Sequence, residues 1–186
     1  MKQWQHLTDQ ALIDACIAGH TEIYEVLVRR HEQKVFNVLY RFFGNYEISQ
    51  DVSQEAFVTA WQKLATFGGR SAFSTWLCQI ALNKARDRLR ISKGHDALND
   101  DLADHADSLF ALVDQQPEHR AQQAGARKEI QTILDRLPAN YREVLILKHL
   151  EEYDYEEIAT MLNDTVGNVK VRIFRARRMF KMLYEK

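Results

Sequence analysis

Apolar residues recur every three to four positions along most of this chain, and nowhere do they alternate with polar ones over a strand's length, so helices are the material available. Leu12, Ile13, Cys16 and Ile17 mark a short first helix, with Thr8 or Asp9 as cap and Gly19 as its end. From Thr21, a candidate cap, the period continues through Ile23, Tyr24, Leu27, Val28, Val35, Val38 and Leu39 to Gly44. A third helix is expected from about Tyr46 to Ala65, with Ile48, Val52, Ala56, Ala60, Trp61 and Leu64 on one side. After the loop "TFGGR", Ser71 opens a fourth. Helices resume near Pro117, a favoured first-turn residue, and "EIQTILDRL" stops before Pro138. "NYREVLILKHL", with Asn140 as candidate cap, "DYEEIATML", a turn "NDT" and a basic helix from Val166 complete the chain. The expectation is an all-α protein of two small helical domains.

The formal net charge of −1 hides an uneven arrangement. Residues 92–126 hold seven acids (Asp96, Asp100, Asp101, Asp104, Asp107, Asp114 and Glu118) against Lys93 and Arg120, and few large apolar side chains apart from "SLFALV". That composition reads as a flexible acidic linker between two mildly basic segments. The longest aliphatic run, "VLIL", is far too short to span a membrane, and the first ten residues have no apolar signal-peptide core. Cys16 and Cys78 are isolated in apolar surroundings, which points to core thiols in a reducing compartment, the cytoplasm.

A short helix, a tight polar turn and a longer basic helix form the helix-turn-helix pattern. The inward residues are expected to be Ile158, Ala159 and Leu162 before the turn, and Val169, Ile173, Ala176 and Phe180 after it. At 100° per residue, Gly167, Val171, Phe174, Arg175 and Arg178 point the other way, with Lys170 and Arg172 flanking the apolar stripe. A solvated surface, a helix lying on a membrane and a helix for an acidic partner all fit the charge, but a solvated face does not normally carry a residue such as Phe174. A face lying in the major groove does, because apolar side chains meet thymine methyls while Arg and Lys hold guanine edges or phosphates.

Two further constellations stand out. In "SQDVSQEAFVTAW" and the residue after it, Asp51, Gln54, Glu55, Val58 and Gln62 form a second, mixed stripe at helical spacing. No His lies three or four residues from either acid, so a di-metal helix is unsupported; an ordinary wet surface and a docking face for a basic partner both fit. In "TFGGRSAFSTWLCQIALNKARDRLR", Phe67, Phe73 and Trp76 surround a Gly-rich loop and Asn83, Lys84, Arg86, Arg88 and Arg90 follow. Rings beside cations suit single-stranded nucleic acid, whose bases stack while its phosphates are tracked; Phe73 and Trp76, three apart, also fit a core face. No catalytic set, metal-ligand spacing or phosphate-binding glycine loop is present, so neither an enzyme, a metal nor a cofactor is expected.

These segments resemble the extracytoplasmic-function (ECF) branch of the bacterial sigma factors. "SQDVSQEAFVTAW" is similar to the family's "AEDLxQExFxxAW", "FGGRSAFSTWLCQIALNKARDRLR" to its "FxGxSxFxTWLxxIAxNxxxDxxR", and the stretch from "LPANYREVL" to "RIFRARRMF" to its C-terminal motif. The resemblance implies a protein that binds core RNA polymerase and directs it to promoters. It implies a region 2 domain at residues 1–92, a linker at 93–118 and a region 4 domain at 119–186. Asp51, Gln54, Glu55, Val58 and Trp61 would meet the β′ clamp helices, and region 4 the β flap. Phe67, Arg70, Phe73, Trp76, Asn83, Lys84, Arg86 and Arg90 would serve the −10 element. Asn168, Lys170, Val171, Arg172, Phe174, Arg175 and Arg178 would serve the −35 element. An anti-sigma factor is a further implied partner, and no membrane insertion is expected. "GNVKVR" departs from the usual "GTVRSR", placing Asn168 and Val171 where Thr and Ser are common. The alternative is a stand-alone helix-turn-helix regulator of duplex DNA.

Overall fold

Four helix starts coincide with a side chain that accepts from the first free backbone N–H groups. Thr8 Oγ1 accepts from Ala11 N at 3.3 Å and opens α1 (Asp9–Ile17). Asn45 Oδ1 accepts from Ile48 N at 3.0 Å and opens α3 (Tyr46–Lys63). Asp154 and Glu157 make a reciprocal capping box at α7 (Tyr155–Leu162), with bonds of 2.7 and 3.0 Å. Thr165 Oγ1 accepts from Asn168 N at 3.2 Å and opens α8 (Val166–Tyr184). The remaining helices are α2 (Tyr24–Phe43), α4 (Phe73–His95), α5 (Arg120–Arg136) and α6 (Ala139–Leu145), and α6 runs into a π-helical turn, Ile146–Leu150. This computed structural model describes residues 4–95 and 120–185, and no strand occurs among them. Most of the expected acidic linker, including "SLFALV", lies outside the described residues.

Several local expectations are corrected. Thr21 begins a 3₁₀ turn, Thr21–Ile23, and does not cap α2. Asn140 is not a cap either: the extended backbone of Pro138 (ψ 141°) sets the entry to α6. Ser71 precedes α4, which begins at Phe73. In α7, Met161 takes the fully buried place and Leu162 is half-buried. Cys16 and Cys78 are both buried free thiols, as their apolar settings suggested.

Helices α2, α3 and α4 pack around Leu27, Leu39, Phe42, Val52, Ala56 and Leu77. α1 is tied on by Asp9, which accepts from Arg30 Nη1 at 2.5 Å and lies 2.8 Å from His31 Nε2. Helices α6 to α8 pack around Val144, Leu147, Ile158, Val169, Ile173 and Ala176. Between α7 and α8, Asn163 adopts the left-handed conformation (φ 50°) that a tight turn requires.

The two halves also pack on each other, which nothing in the sequence announced, and their cores are continuous. α4 lies against α7, and α2 against α5, α6 and the π-turn. Arg41 Nη1 donates to Leu150 O at 2.5 Å and pairs with Glu151 at 3.0 Å. Gln79 donates to Thr160 O at 3.1 Å, Gln131 to Arg41 O at 3.1 Å and Arg142 to Phe42 O at 2.6 Å. Gly44 ends α2 at φ +66°, and a Cβ there would come within 3.2 Å of Gln131 Nε2 and 3.3 Å of Asp135 Oδ2. A side chain at this position meets both backbone strain and the facing half.

The capping box makes a quantitative expectation. Asp154→Ala should lower stability by about 1 kcal/mol, leaving α7's first turn without its acceptor; urea unfolding followed by circular dichroism measures it. A second expectation concerns acid. Arg177 Nε donates to His149 Nε2 at 2.9 Å, so the ring accepts and is neutral. Burial, then the cations Arg177 and Lys148, hold its pKa below the usual 6.5. A lowered histidine pKa gives stability that is present above 6.5 and lost as pH falls through the folded value. His149→Gln, which keeps an acceptor but does not titrate, should shrink the loss of stability between pH 7.5 and 5.5 in the same unfolding measurement.

Candidate nucleic-acid interface

α8 has two faces of opposite character. Val169, Ile173 and Ala176 are buried at 2% exposure or less, whereas Phe174 is 69% and Val171 50% exposed. Lys170, Arg175 and Arg178 are exposed around them, and Arg175 and Arg178 make no ion pair among the described residues. Lys170 Nζ sits 5.4 Å from the centre of the Tyr155 ring, which anchors its stem beside the turn.

Asn168 and Arg172 are both tied to the turn by Asp164. Asn168 Nδ2 donates to Asp164 Oδ1 at 2.8 Å, and Arg172 Nη2 donates to Asp164 Oδ2. Arg172 Nη1 also reaches Glu143 Oε1 at 3.4 Å. Both side chains are thus engaged in bracing α8 against the turn and α6. The Asn168 amide, then the Thr165 backbone N–H, hold the Asp164 carboxyl below the usual carboxylate range, so the brace is charged at neutral pH.

The sequence reading missed Glu143. It is 2% exposed, and its two oxygens serve two guanidiniums: Oε2 accepts from Arg86 Nε of α4 at 2.8 Å, and Oε1 faces Arg172 of α8. Burial raises its pKa, and the two arginines oppose that. The signal was available: Glu143 lies four residues before Leu147, on the face that a helical wheel of "NYREVLILKHL" buries.

On the other half, the mixed stripe of α3 is where the spacing put it. Asp51, Gln54 and Glu55 are exposed, Val58 is 56% and Trp61 37% exposed, and Gln62 is exposed beside them. Trp61 packs on Tyr24 at 4.9 Å between ring centres, so its ring is held in place at the surface. Glu55 is 3.7 Å from Lys84, which links the stripe to the expected −10 set.

The rings of the α4 segment form one cluster: Phe67–Phe73 at 5.7 Å, Phe67–Trp76 at 5.2 Å and Phe73–Trp76 at 5.8 Å. Phe73 is only 2% exposed and also packs on His31, so it cannot stack on a base; it supports Phe67 and Trp76, which are half-buried. Arg70 and Asn83 are exposed nearby, Lys84 is half-buried, and Arg90 is exposed and pairs with Asp87 at 3.0 Å. Arg86 is directed at Glu143. Among the described residues no group of acids, His and Cys is placed to hold a metal, and no helix is long and apolar enough to cross a membrane.

Known proteins place these surfaces in one framework. Sigma-70 region 2 matches residues 27–93, and sigma-70 region 4 matches residues 127–180. The chain is 34% identical to the RNA polymerase sigma-H factor of Pseudomonas aeruginosa, across 91% of this chain and 90% of that one. It is likewise 34% identical to the ECF RNA polymerase sigma-E factor of Haemophilus influenzae, across 95% of each, and to that of Escherichia coli K12, across 93% and 92%. Among solved structures it is similar to CnrH in complex with the cytosolic domain of CnrY, with a TM-score of 0.67 and 26% identity over 95% of this chain and 97% of the other. The fold is also that of RpoE of Bartonella quintana, crystallised with the anti-sigma factor NepR, with a TM-score of 0.65 at 20% identity over 87% and 96%. Relatives that match both halves end to end displace the stand-alone regulator. The exposed cationic helix, the acidic stripe and the ring cluster therefore sit on regions 2 and 4 of one chain, which belongs to the ECF sigma factors: it binds core RNA polymerase and directs promoter-specific transcription initiation, and it is not an enzyme.

Proposed function

We propose that the three exposed surfaces divide the work of initiation among them. Residues 1–92 act as region 2, 93–118 as the linker and 119–186 as region 4. Asp51, Gln54, Glu55, Val58 and Trp61 form the docking stripe for the β′ clamp helices, and region 4 meets the β flap. Phe67, Arg70, Trp76, Asn83, Lys84, Arg86 and Arg90 serve the −10 element, with Phe73 beneath them. Lys170, Val171, Phe174, Arg175 and Arg178 read the −35 major groove, with Asn168 and Arg172 at its edge, braced by Asp164.

The observation that carries this reading is the outward face of α8. An aromatic ring 69% exposed among cations, on a helix whose opposite face is fully buried, has no packing role among the described residues. Groove contact gives it one. The same apolar exposure suits a helix of an anti-sigma factor, and the similar structures that contain CnrY and NepR support such a partner here. The site of action is the bacterial cytoplasm, where polymerase and promoter DNA are.

Two expectations test the division. Asp51→Lys combined with Glu55→Lys should weaken core binding while helicity stays unchanged, since both residues are exposed and the pair at Lys84 contributes little at the surface; competition for core polymerase against a labelled reference sigma factor measures it, and undiminished competition would remove the stripe from the interface. Arg175→Ala and Phe174→Ala should differ in kind. Loss of a phosphate contact at Arg175 weakens all sequences alike and reduces the salt slope by about 1, whereas a base contact is worth about 1–3 kcal/mol of discrimination. Phe174→Ala should relax preference at one thymine-bearing position without altering the slope. Holoenzyme binding across a salt series, with each −35 position varied, separates these outcomes.

A further inference from the structure

We propose that α1 is a positioning element for the −10 reading surface, with Asp9 and Gln10 in its first turn fixing the loop that joins α3 to α4. The inference rests on the −10 reading above and goes beyond it: the match to sigma-70 region 2 begins at residue 27, after α1.

The first argument separates what α1 needs for itself from what it carries besides. Leu12, Ile13 and Cys16 are buried in the core and secure one face of the helix. Thr8 already caps it by accepting from Ala11 N. Asp9 and Gln10 are needed for neither purpose. Asp9 is nevertheless pinned from α2: Arg30 Nη1 donates to its Oδ1 at 2.5 Å, and His31 Nε2 to its Oδ2 at 2.8 Å. Arg30 Nη2 also donates to the carbonyls of Gln5 and Leu7, at 3.1 and 3.0 Å, and so fixes the approach to α1.

The second argument follows these contacts to the loop. The bond from Nε2 to Asp9 sets the orientation of the His31 ring, which meets Phe73 at 64° with 5.3 Å between centres. Phe73 is the first residue of α4 and lies under Phe67 and Trp76, the half-buried rings of the cluster. Gln10 acts within the loop. Asp14 Oδ1 accepts from its Nε2 at 2.8 Å, which leaves Oε1 facing Gly69. Gly69 has φ +64°, and a Cβ there would come within 3.2 Å of that oxygen. α1 also lies against the 3₁₀ turn Leu64–Thr66, from which the loop departs. The loop thus meets α1 at its entry, in its middle and, through His31, at its exit.

The third argument is what such a surface requires. A binding constellation works when its side chains are held to within about 0.5 Å of the productive geometry by neighbours that are themselves fixed. Phe67 and Arg70 flank two glycines, Gly68 and Gly69, whose backbone by itself leaves many conformations open. With α1 behind it, the loop is ordered before DNA arrives, and the cost of ordering does not fall on binding.

Base preference tests this, because a loss of folded protein lowers binding to every sequence alike, whereas a loosened loop loses discrimination as well. Gln10→Ala removes an exposed side chain from outside the core, and Asp9→Asn keeps the shape of Asp9 without its charge. Each full-length variant is combined with core polymerase and titrated with single-stranded oligonucleotides carrying the −10 element of a promoter recovered from a genomic library, each base varied in turn. Both variants should compete for core polymerase as the parent does, bind a −35 duplex as it does, and lose at least threefold in discrimination at one or more −10 positions. Circular dichroism checks each fold; should Asp9→Asn unfold, Gln10→Ala alone decides. Unchanged discrimination in Gln10→Ala, or an equal loss of affinity for every base, would overturn the proposal. Phe67→Ala, Arg70→Ala and Trp76→Ala are the controls: if none of the three alters binding to these strands, the −10 reading falls, and this inference with it.

Discussion

A carboxylate taken out of water must keep a cation beside it, and breaking a buried pair by removing one partner costs about 3–5 kcal/mol. Glu143 sits under that constraint, at 2% exposure. Arg172 meets one of its oxygens from within the same half at 3.4 Å and so ties α8 to α6 in the roll that its apolar stripe requires. Asp164 completes the arrangement by holding Arg172 and Asn168 together at the turn. The exposed face of α8 is thus a consequence of a buried charge, as well as of the apolar stripe of Val169, Ile173 and Ala176.

The second oxygen of Glu143 couples this local brace to the whole molecule. Through Arg86 it joins the helix that carries the ring cluster to the helix that carries Phe174. A single acid therefore influences both surfaces, although it belongs to neither. The seam around it adds backbone-directed hydrogen bonds and a continuous apolar core. These terms are individually modest, and net stability is a small difference between large ones.

Most of the fold was legible because the sequence is locally consistent. The 3.6 period located the helices, and Thr8 caps α1 as its side chain offered, whereas Thr21 and Asn140, offered on the same ground, cap nothing. The inward stripe of α8 and the exposed stripe of α3 followed from spacing. What was not legible depended on contacts distant in sequence. Asn168 and Arg172 read as outward or flanking on a wheel, but a wheel does not contain Asp164 or Glu143. Phe73 and Trp76 share a face at i, i+3, and only the packing of His31 shows which of the two is sealed. Much of the seam was invisible because many of its bonds end on the backbone carbonyls of Arg41, Phe42, Leu150 and Thr160, and a carbonyl has no residue-type signature.

The brace at Asp164 also limits the vocabulary of α8. With Asn168 engaged, the face proposed to read DNA retains Lys170, Val171, Phe174, Arg175 and Arg178, three cations and two apolar side chains. Cations address guanine, and apolar groups address the thymine methyl. Adenine is matched by a bidentate amide and cytosine by a carboxylate; the face has no carboxylate, and its one amide, Asn168, already gives one N–H to Asp164. Such a helix spells with two letters. It would register an A·T or G·C pair from whichever strand presents thymine or guanine to it, so the information it draws from a −35 element lies in the order and strand of those two bases.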